Sequence, residues 1–312
     1  MGQDANQKIL ADYNDVFADI MNVLLFDGKK VVNEEGLENS KDRSQYKADG
    51  KLHEQERDVS KFYREQELRI AFLGIEHQNE KDYFMPARVI SYDGSCYRAQ
   101  LLERKNRSGI TAGDEKRLKK RRKLYPVVTL VLYFGTSHWN QGKSLYEILD
   151  MPEDFKPFVN DYKINIVEVA YLSEDQIKKF QSDFRIVAEY FSQKRQYGKY
   201  EPKRIEIKHV DEILKLLGVM ARDDRFPEVI EAMNEEKEKK GRVTMCEVLD
   251  EIENRGIQKG IQKGIQKGIR KGIQQERVHT EEQRLRAEEA EARAKAAEAE
   301  VERLRKLLAS QG

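Results

Sequence analysis

The apolar positions of this chain change period from block to block. Ile9, Phe17, Ile20, Met21, Leu24 and Leu25 recur at helical spacing, which predicts a helix over residues 8–27 that stops at Gly28. Residues 33–57 are polar and aperiodic and predict loop with short structure. Residues 58–63 read two ways: Val59, Phe62 and Tyr63 favour a strand, and their spacing also suits a turn of helix. Residues 68–77, with the apolar run Ile70-Ala71-Phe72-Leu73-Gly74, predict a buried strand. A helix is expected over 80–97, beginning near Met85-Pro86 because proline suits a first turn, with Asp93-Gly94 as a threatened break.

Pro126 to Phe134 is apolar throughout and predicts a second strand, buried on both faces as in a sheet covered by helices. Asn165 to Leu172 predicts a third. Ser173 then has the chemistry of an N-cap, and Ile177, Phe180, Phe184, Val187 and Phe191 predict one long amphipathic helix behind it. Only helical patterns follow: Val210, Ile213, Leu214, Leu217 and Met220 on one face, Phe226, Val229, Ile230 and Met233 on a second, Val248, Leu249 and Ile252 on a third. Strands alternating with helices and then helices alone predict an α/β domain over 1–200 with a helical extension over 201–254.

The remainder is of another kind. Residues 256–272 repeat Gly-Ile-Gln-Lys in tandem, with Arg270 once in place of Gln. A four-residue step overshoots a helical turn by about 40°, so the isoleucines spiral, and each glycine costs roughly 1 kcal/mol of helicity against alanine. The stretch 255–275 is therefore expected to be a linker or a weak helix. Gly-x-x-x-Gly is a spacing of membrane helix pairs, but a lysine in every repeat excludes that use. In 276–312, Ala287, Ala290, Ala294, Ala297, Val301, Leu304 and Leu308 step by three and four, the spacing of a coiled-coil tail. A thin alanine seam suits a homodimer; a lone solvated helix is the alternative.

Composition narrows the function classes. The 312 residues carry 57 basic and 56 acidic side chains, so no global charge attracts nucleic acid and any such footprint must be local. The clustering that exists is at 104–123, where Lys116, Arg117, Lys119, Lys120, Arg121 and Arg122 are candidates to contact DNA phosphates; a solvated charged loop is the competing account. Two cysteines, Cys96 and Cys246, support neither a disulfide framework nor a zinc site and fit a reducing cytoplasm. The first residues lack a basic flank and an apolar segment, so no signal peptide is expected, and Asn6 stands where a myristoylation signal needs Ser or Thr. The longest apolar run, Val127 to Phe134, is too short to span a bilayer.

The candidate chemistry sits at the end of the first predicted strand. Ile75-Glu76-His77-Gln78 follows the apolar run, and Asp58 lies eighteen positions before Glu76. Strand alternation assigns Glu76 and Gln78 to one face and Ile75 and His77 to the other, which suggests a packed or hydrogen-bonded role for His77. If Asp58 lies on a neighbouring strand, its carboxylate and that of Glu76 can hold one Mg²⁺ (or Mn²⁺), a hard cation content with two or three carboxylates and several waters. Gln78 can hold an attacking water or a phosphate oxygen but supplies no positive charge. His138 beside Trp139 reads as a loop residue next to an aromatic anchor.

Asp58 followed by strand residues and then Glu76-x-Gln78 resembles the PD-(D/E)XK nuclease superfamily. The run from Gly74 to Gln78, then Met85-x-x-Arg88-x-x-x-Tyr92, is similar more narrowly to the recombination-promoting nucleases (Rpn), also called PD-(D/E)XK nuclease family transposases. Asn14 to Asp19, Leu52 to Asp58 and Tyr125 to Gly135 match the same group, so the likeness covers about residues 8–195. It implies a restriction-endonuclease-like core, a central mixed sheet flanked by helices, within residues 1–200. It further implies Mg²⁺-dependent DNA endonuclease activity promoting recombination or transposition-like events, with Asp58, Glu76 and Gln78 as catalytic residues and an acid of the first helix, Asp15 or Asp19, as a further metal ligand. Gln78 departs from the lysine usual in the superfamily; glutamine is common in this group. The alternative function is a catalytically inactive DNA-binding or coiled-coil scaffold protein with a nuclease-like fold.

Overall fold

A computed structural model describes residues 9–40, 44–48, 51–55, 58–65, 68–105 and 123–309; the side chains of 44–48, 51–55, 68–72, 76, 104–105 and 307–309 lie outside the description. The chain divides into two compact units, residues 1–249 and 250–312.

The first unit is α/β, as its alternating pattern predicts. A mixed sheet has the strand order β1 (Leu37–Asn39), β4 (Val59–Glu65), β5 (Leu68–Gln78), β6 (Val127–Tyr133), β7 (Asn165–Glu168). β1, β4 and β5 run antiparallel, and β5, β6 and β7 run parallel. A separate hairpin, β2 (Ser44–Ala48) with β3 (Lys51–Gln55), is inserted between β1 and β4, in the stretch that the sequence marks only as irregular. The ambiguous residues after Asp58 become strand because β5 pairs with them from Val59↔Ile75 onward.

Helices cover both faces. α2 (Met85–Lys105) packs Met85 and Val89 against Val131, Tyr133, Trp139 and Ile164, and Cys96 against Phe62 and Val127. Lys61, the neighbour of Phe62, points to the opposite face, where its ammonium donates to Asp12 O at 2.8 Å and to Asn14 Oδ1 at 2.8 Å, at the start of α1 (Asn14–Phe26). α1 begins later than expected, after a single 3₁₀ turn at Leu10–Asp12, and stops at Asp27 and Gly28, both with positive φ.

Two helix expectations change for physical reasons. Asp93-Gly94 does not break α2, because the buried Asp93 carboxylate accepts the hydroxyls of Thr129 (2.6 Å) and Tyr162 and ties the middle of the helix to the sheet domain. The long helix expected after Ser173 is two. α3 (Glu174–Lys179) starts at the predicted cap, Ser173, in a capping box with Gln176. α4 (Phe184–Tyr197) starts anew after Asp19 of α1 has drawn off the N–H groups of Gln181 and Ser182.

The extension α5 (Val210–Ala221), α6 (Arg225–Glu228) and α7 (Ile230–Lys240) falls within the first compact unit. Tyr13 Oη donates to Glu212 at 2.9 Å, and Val210, Ile213, Leu214 and Leu217 are buried. α8 (Met245–Ala309) starts in the first unit, and its residues from Asp250 onward make up the second. The repeat expected as linker or weak helix lies inside α8, with no break before the alanine-seamed tail. No helix of the described residues is long and apolar enough to cross a membrane.

Candidate active site

Asp58 stands one residue before β4, and the β4–β5 register ends on Val59↔Ile75. Extending that register by one position sets Asp58, just before β4, opposite Glu76 of β5. Glu76 itself pairs along the backbone with Val131 of β6, and Gln78 with Tyr133. The side chain of Glu76 lies outside the described residues. Alternation along β5 assigns positions 76 and 78 to the face covered by α2 and position 77 to the other.

The environment of Asp58 is specific. Its Oδ2 accepts the backbone N–H of His77 at 2.7 Å and lies 3.4 Å from the ring Nδ1 of the same residue. The His77 side chain is only 5% exposed, whereas that of Asp58 is 39% exposed. The imidazole stacks on Phe134 at 5.9 Å between centroids, and Phe134 in turn meets Phe191 of α4. His77 is thus packed, as its strand parity suggests, and it is also the group that aims the Asp58 carboxylate. Desolvation alone would raise the pKa of Asp58; the His77 ring, the His77 N–H and the Arg88 charge outweigh it and hold the carboxyl below its ordinary value. Asp58 therefore carries its negative charge throughout the neutral range, and its Oδ1 accepts no hydrogen bond among the described residues.

Arg88 contributes a positive charge that helps to hold this carboxylate ionised. Its Nη1 is 2.9 Å from Asp82 Oδ2 and its Nη2 donates to Tyr92 Oη at 3.1 Å, one helical turn on. The Met85-x-x-Arg88-x-x-x-Tyr92 spacing is the sequence trace of this arrangement: Met85 buried in the core, Arg88 and Tyr92 paired along the same side of α2. Sequence reasoning quoted the spacing without giving Arg88 a role.

The first-helix acids have partners of their own. Asp19 Oδ2 accepts the N–H groups of Gln181 (2.9 Å) and Ser182 (2.7 Å), and Asp15 Oδ2 lies 4.0 Å from Lys208 Nζ. No described contact joins either of them to Asp58. Lys116, Arg117, Lys119, Lys120, Arg121 and Arg122 lie outside the described residues. Among the described residues no three His, Cys, Asp or Glu side chains converge as a metal site. The Asp58 carboxylate and the Gln78 amide are hard oxygen donors, the kind that Mg²⁺ takes. His138 and Trp139 form a second polar knot, with Nδ1 and the Trp139 N–H both on Glu168 Oε2, at 3.0 and 2.9 Å.

Residues 63–201 match the family model Transposase_31, described as "Putative transposase, YhgA-like". That family is the Rpn and PD-(D/E)XK-like transposase group whose motifs this segment carries. The match takes in Glu76, Gln78 and Arg88; it begins five residues after Asp58 and leaves out α8. No curated protein and no solved structure matches the chain.

Proposed function

We propose, from the match of residues 63–201 to this transposase family model, that the first unit is a Mg²⁺- or Mn²⁺-dependent DNA endonuclease that hydrolyses phosphodiester bonds in recombination or transposition-like events. The observation that supports the proposal is the β4–β5 register, which, carried one position further, sets Asp58 opposite Glu76. Adjacent strands joined in this register were the condition on which the two carboxylates could serve one cation.

In this reading Asp58 and Glu76 would hold the cation, and a cation bound there would supply an activated water and neutralise charge on the phosphate. The chain's own part is positional. His77 fixes Asp58 through two contacts and keeps it anionic. Gln78 orients the attacking water or a phosphate oxygen by hydrogen bonds. Arg88, anchored by Asp82 and Tyr92, adds the positive charge that glutamine at position 78 does not bring. DNA is recognised chiefly through its backbone, since the sequence carries no groove-reading module. A homodimer through α8 would bring two such sites to one duplex.

The same geometry contains one observation in favour of the inactive alternative. Asp58 Oδ2 is already engaged by His77, so a protein that had lost catalysis could keep this carboxylate as a structural acceptor. Incubation of supercoiled plasmid with the full chain separates the two. Nicking or cutting with Mg²⁺ or Mn²⁺ that stops with a chelator supports the endonuclease; DNA binding without cleavage under either metal leaves only the scaffold.

A further inference from the structure

Every residue from Gly256 to Lys306 is exposed, on a helix that runs from Met245 to Ala309. Exposure on that scale leaves this helix little packing among the described residues, and its five glycines each cost about 1 kcal/mol against alanine. Its apolar side chains are nevertheless regular. Ile257, Ile261, Ile265, Ile269 and Ile273 are 50–58% exposed, and Val278, Leu285, Val301 and Leu304 are 49–56% exposed. An alternation this consistent, left in water, is a surface that another element covers.

Charge identifies the occupant. From Arg255 to Gln275 the helix has six basic residues and no acidic one; from Ala287 to Glu302 it has six acidic residues against two basic. The two segments complement each other in charge, and also in size. The first projects isoleucines, while the second offers the small side chains of Ala287, Ala290, Ala294 and Ala297. One straight helix cannot fold back to join its own halves. We infer that a second copy of this chain lies antiparallel along α8, the basic repeat of each copy on the acidic alanine-rich tail of the other.

A parallel pair is disfavoured by the same numbers, since it sets six positive charges beside six positive charges. No residue within 4 Å would meet a Cβ at Gly256, Gly260, Gly264, Gly268 or Gly272, so the partner helix can approach closely along that stripe. Because the repeat drifts about 40° per step, only two or three isoleucines of each repeat face the partner before the stripe turns away. An antiparallel pair also separates the two copies of Asp250 by on the order of 80 Å along the helices. The inference stands independently of the nuclease reading, because no residue of the sheet domain enters it.

The test is sedimentation velocity on the full chain at low and high salt. A dimer at micromolar concentration that weakens with salt is expected. Lys259→Glu with Lys263→Glu and Lys267→Glu should raise the dimer dissociation constant about tenfold or more, as should Glu288→Lys with Glu291→Lys and Glu298→Lys. Mixing the two variants should restore the dimer, and circular dichroism should show both still helical. A nitroxide placed at Gln262 through a non-natural amino acid should report a distance of roughly 50–60 Å in the dimer, against roughly 10–15 Å for a parallel pair. A monomer at tens of micromolar, or the short distance, overturns the inference. So does a lysine-reversal variant that keeps its dimer but loses DNA affinity, which would make the repeat a phosphate-binding element.

Discussion

The carboxylate of Asp58 is held by a single residue through two different groups, the backbone N–H of His77 at 2.7 Å and the ring Nδ1 at 3.4 Å. His77 follows Glu76 directly, so the contact that orients the first acid is built into the strand that carries the second. The buried ring, pinned on Phe134, gives that orientation a rigid base.

The pH dependence of stability follows from this pair. Because the folded pKa of Asp58 is depressed, its contribution is fully present above the unfolded value of about 4 and is lost as pH falls through the folded value. Asp58→Asn lacks the titration. Urea midpoints measured for both proteins from pH 6 to pH 2.5 should converge on acidification, with the wild type more stable above about pH 4. Parallel curves would mean that the His77 contacts do not favour the ionised carboxylate.

Catalysis should separate the acids from their support. Glu76→Ala and Asp58→Ala should each reduce metal-dependent plasmid cleavage by on the order of 100-fold or more while DNA affinity stays within a few-fold. His77→Leu keeps the backbone N–H and removes only the ring, so a smaller loss of about tenfold is expected, with weaker metal affinity by titration calorimetry. Undiminished cleavage by Glu76→Ala would remove it from the site.

Much of this was readable before any coordinates. The apolar runs at 68–77 and 126–134 found β5 and β6, because buried strands need uninterrupted apolarity, and Ser173 announced its capping box. Non-local interactions were not readable. Nothing near Ile177 and Phe191 shows that Asp19, more than 150 residues earlier, takes the N–H groups that would have continued the helix. Val59 to Tyr63 becomes strand only because β5 lies beside it. At the site, parity placed His77 on the far face correctly as a packed residue, but parity is silent about a backbone N–H and a ring edge that reach round the strand end to Asp58. For the repeat, five glycines left linker and weak helix both open, and residues 256–272 lie within α8.

Lys61 is a case where the chemistry is hidden by the residue type. It is fully buried, and its ammonium donates to Asp12 O, Asn14 Oδ1 and Asn39 Oδ1 while lying 5.5 Å from the Phe17 ring centroid. Three acceptors on three elements converge on it. Lys61→Met preserves the aliphatic stem but strands those acceptors, and chemical denaturation should show a loss of about 3 kcal/mol. A neutral outcome would mean that water replaces the ammonium without cost.

Asp19 decides between a structural acid and a ligand. Its Oδ2 accepts two backbone N–H groups, from Gln181 and Ser182, at the gap between α3 and α4, which is the work of a cap. Asp19→Ala should therefore destabilise the protein by about 1–2 kcal/mol in urea. Asp19→Asn retains an acceptor oxygen and should recover most of that loss. If Asp19 held the cation, asparagine would restore stability and still leave cleavage and metal affinity depressed, because it withdraws the charge. The contacts point to the other result, in which cleavage by folded Asp19→Asn equals that of the wild type at every metal concentration. A shift of the metal titration in Asp19→Asn alone would return this residue to the catalytic set.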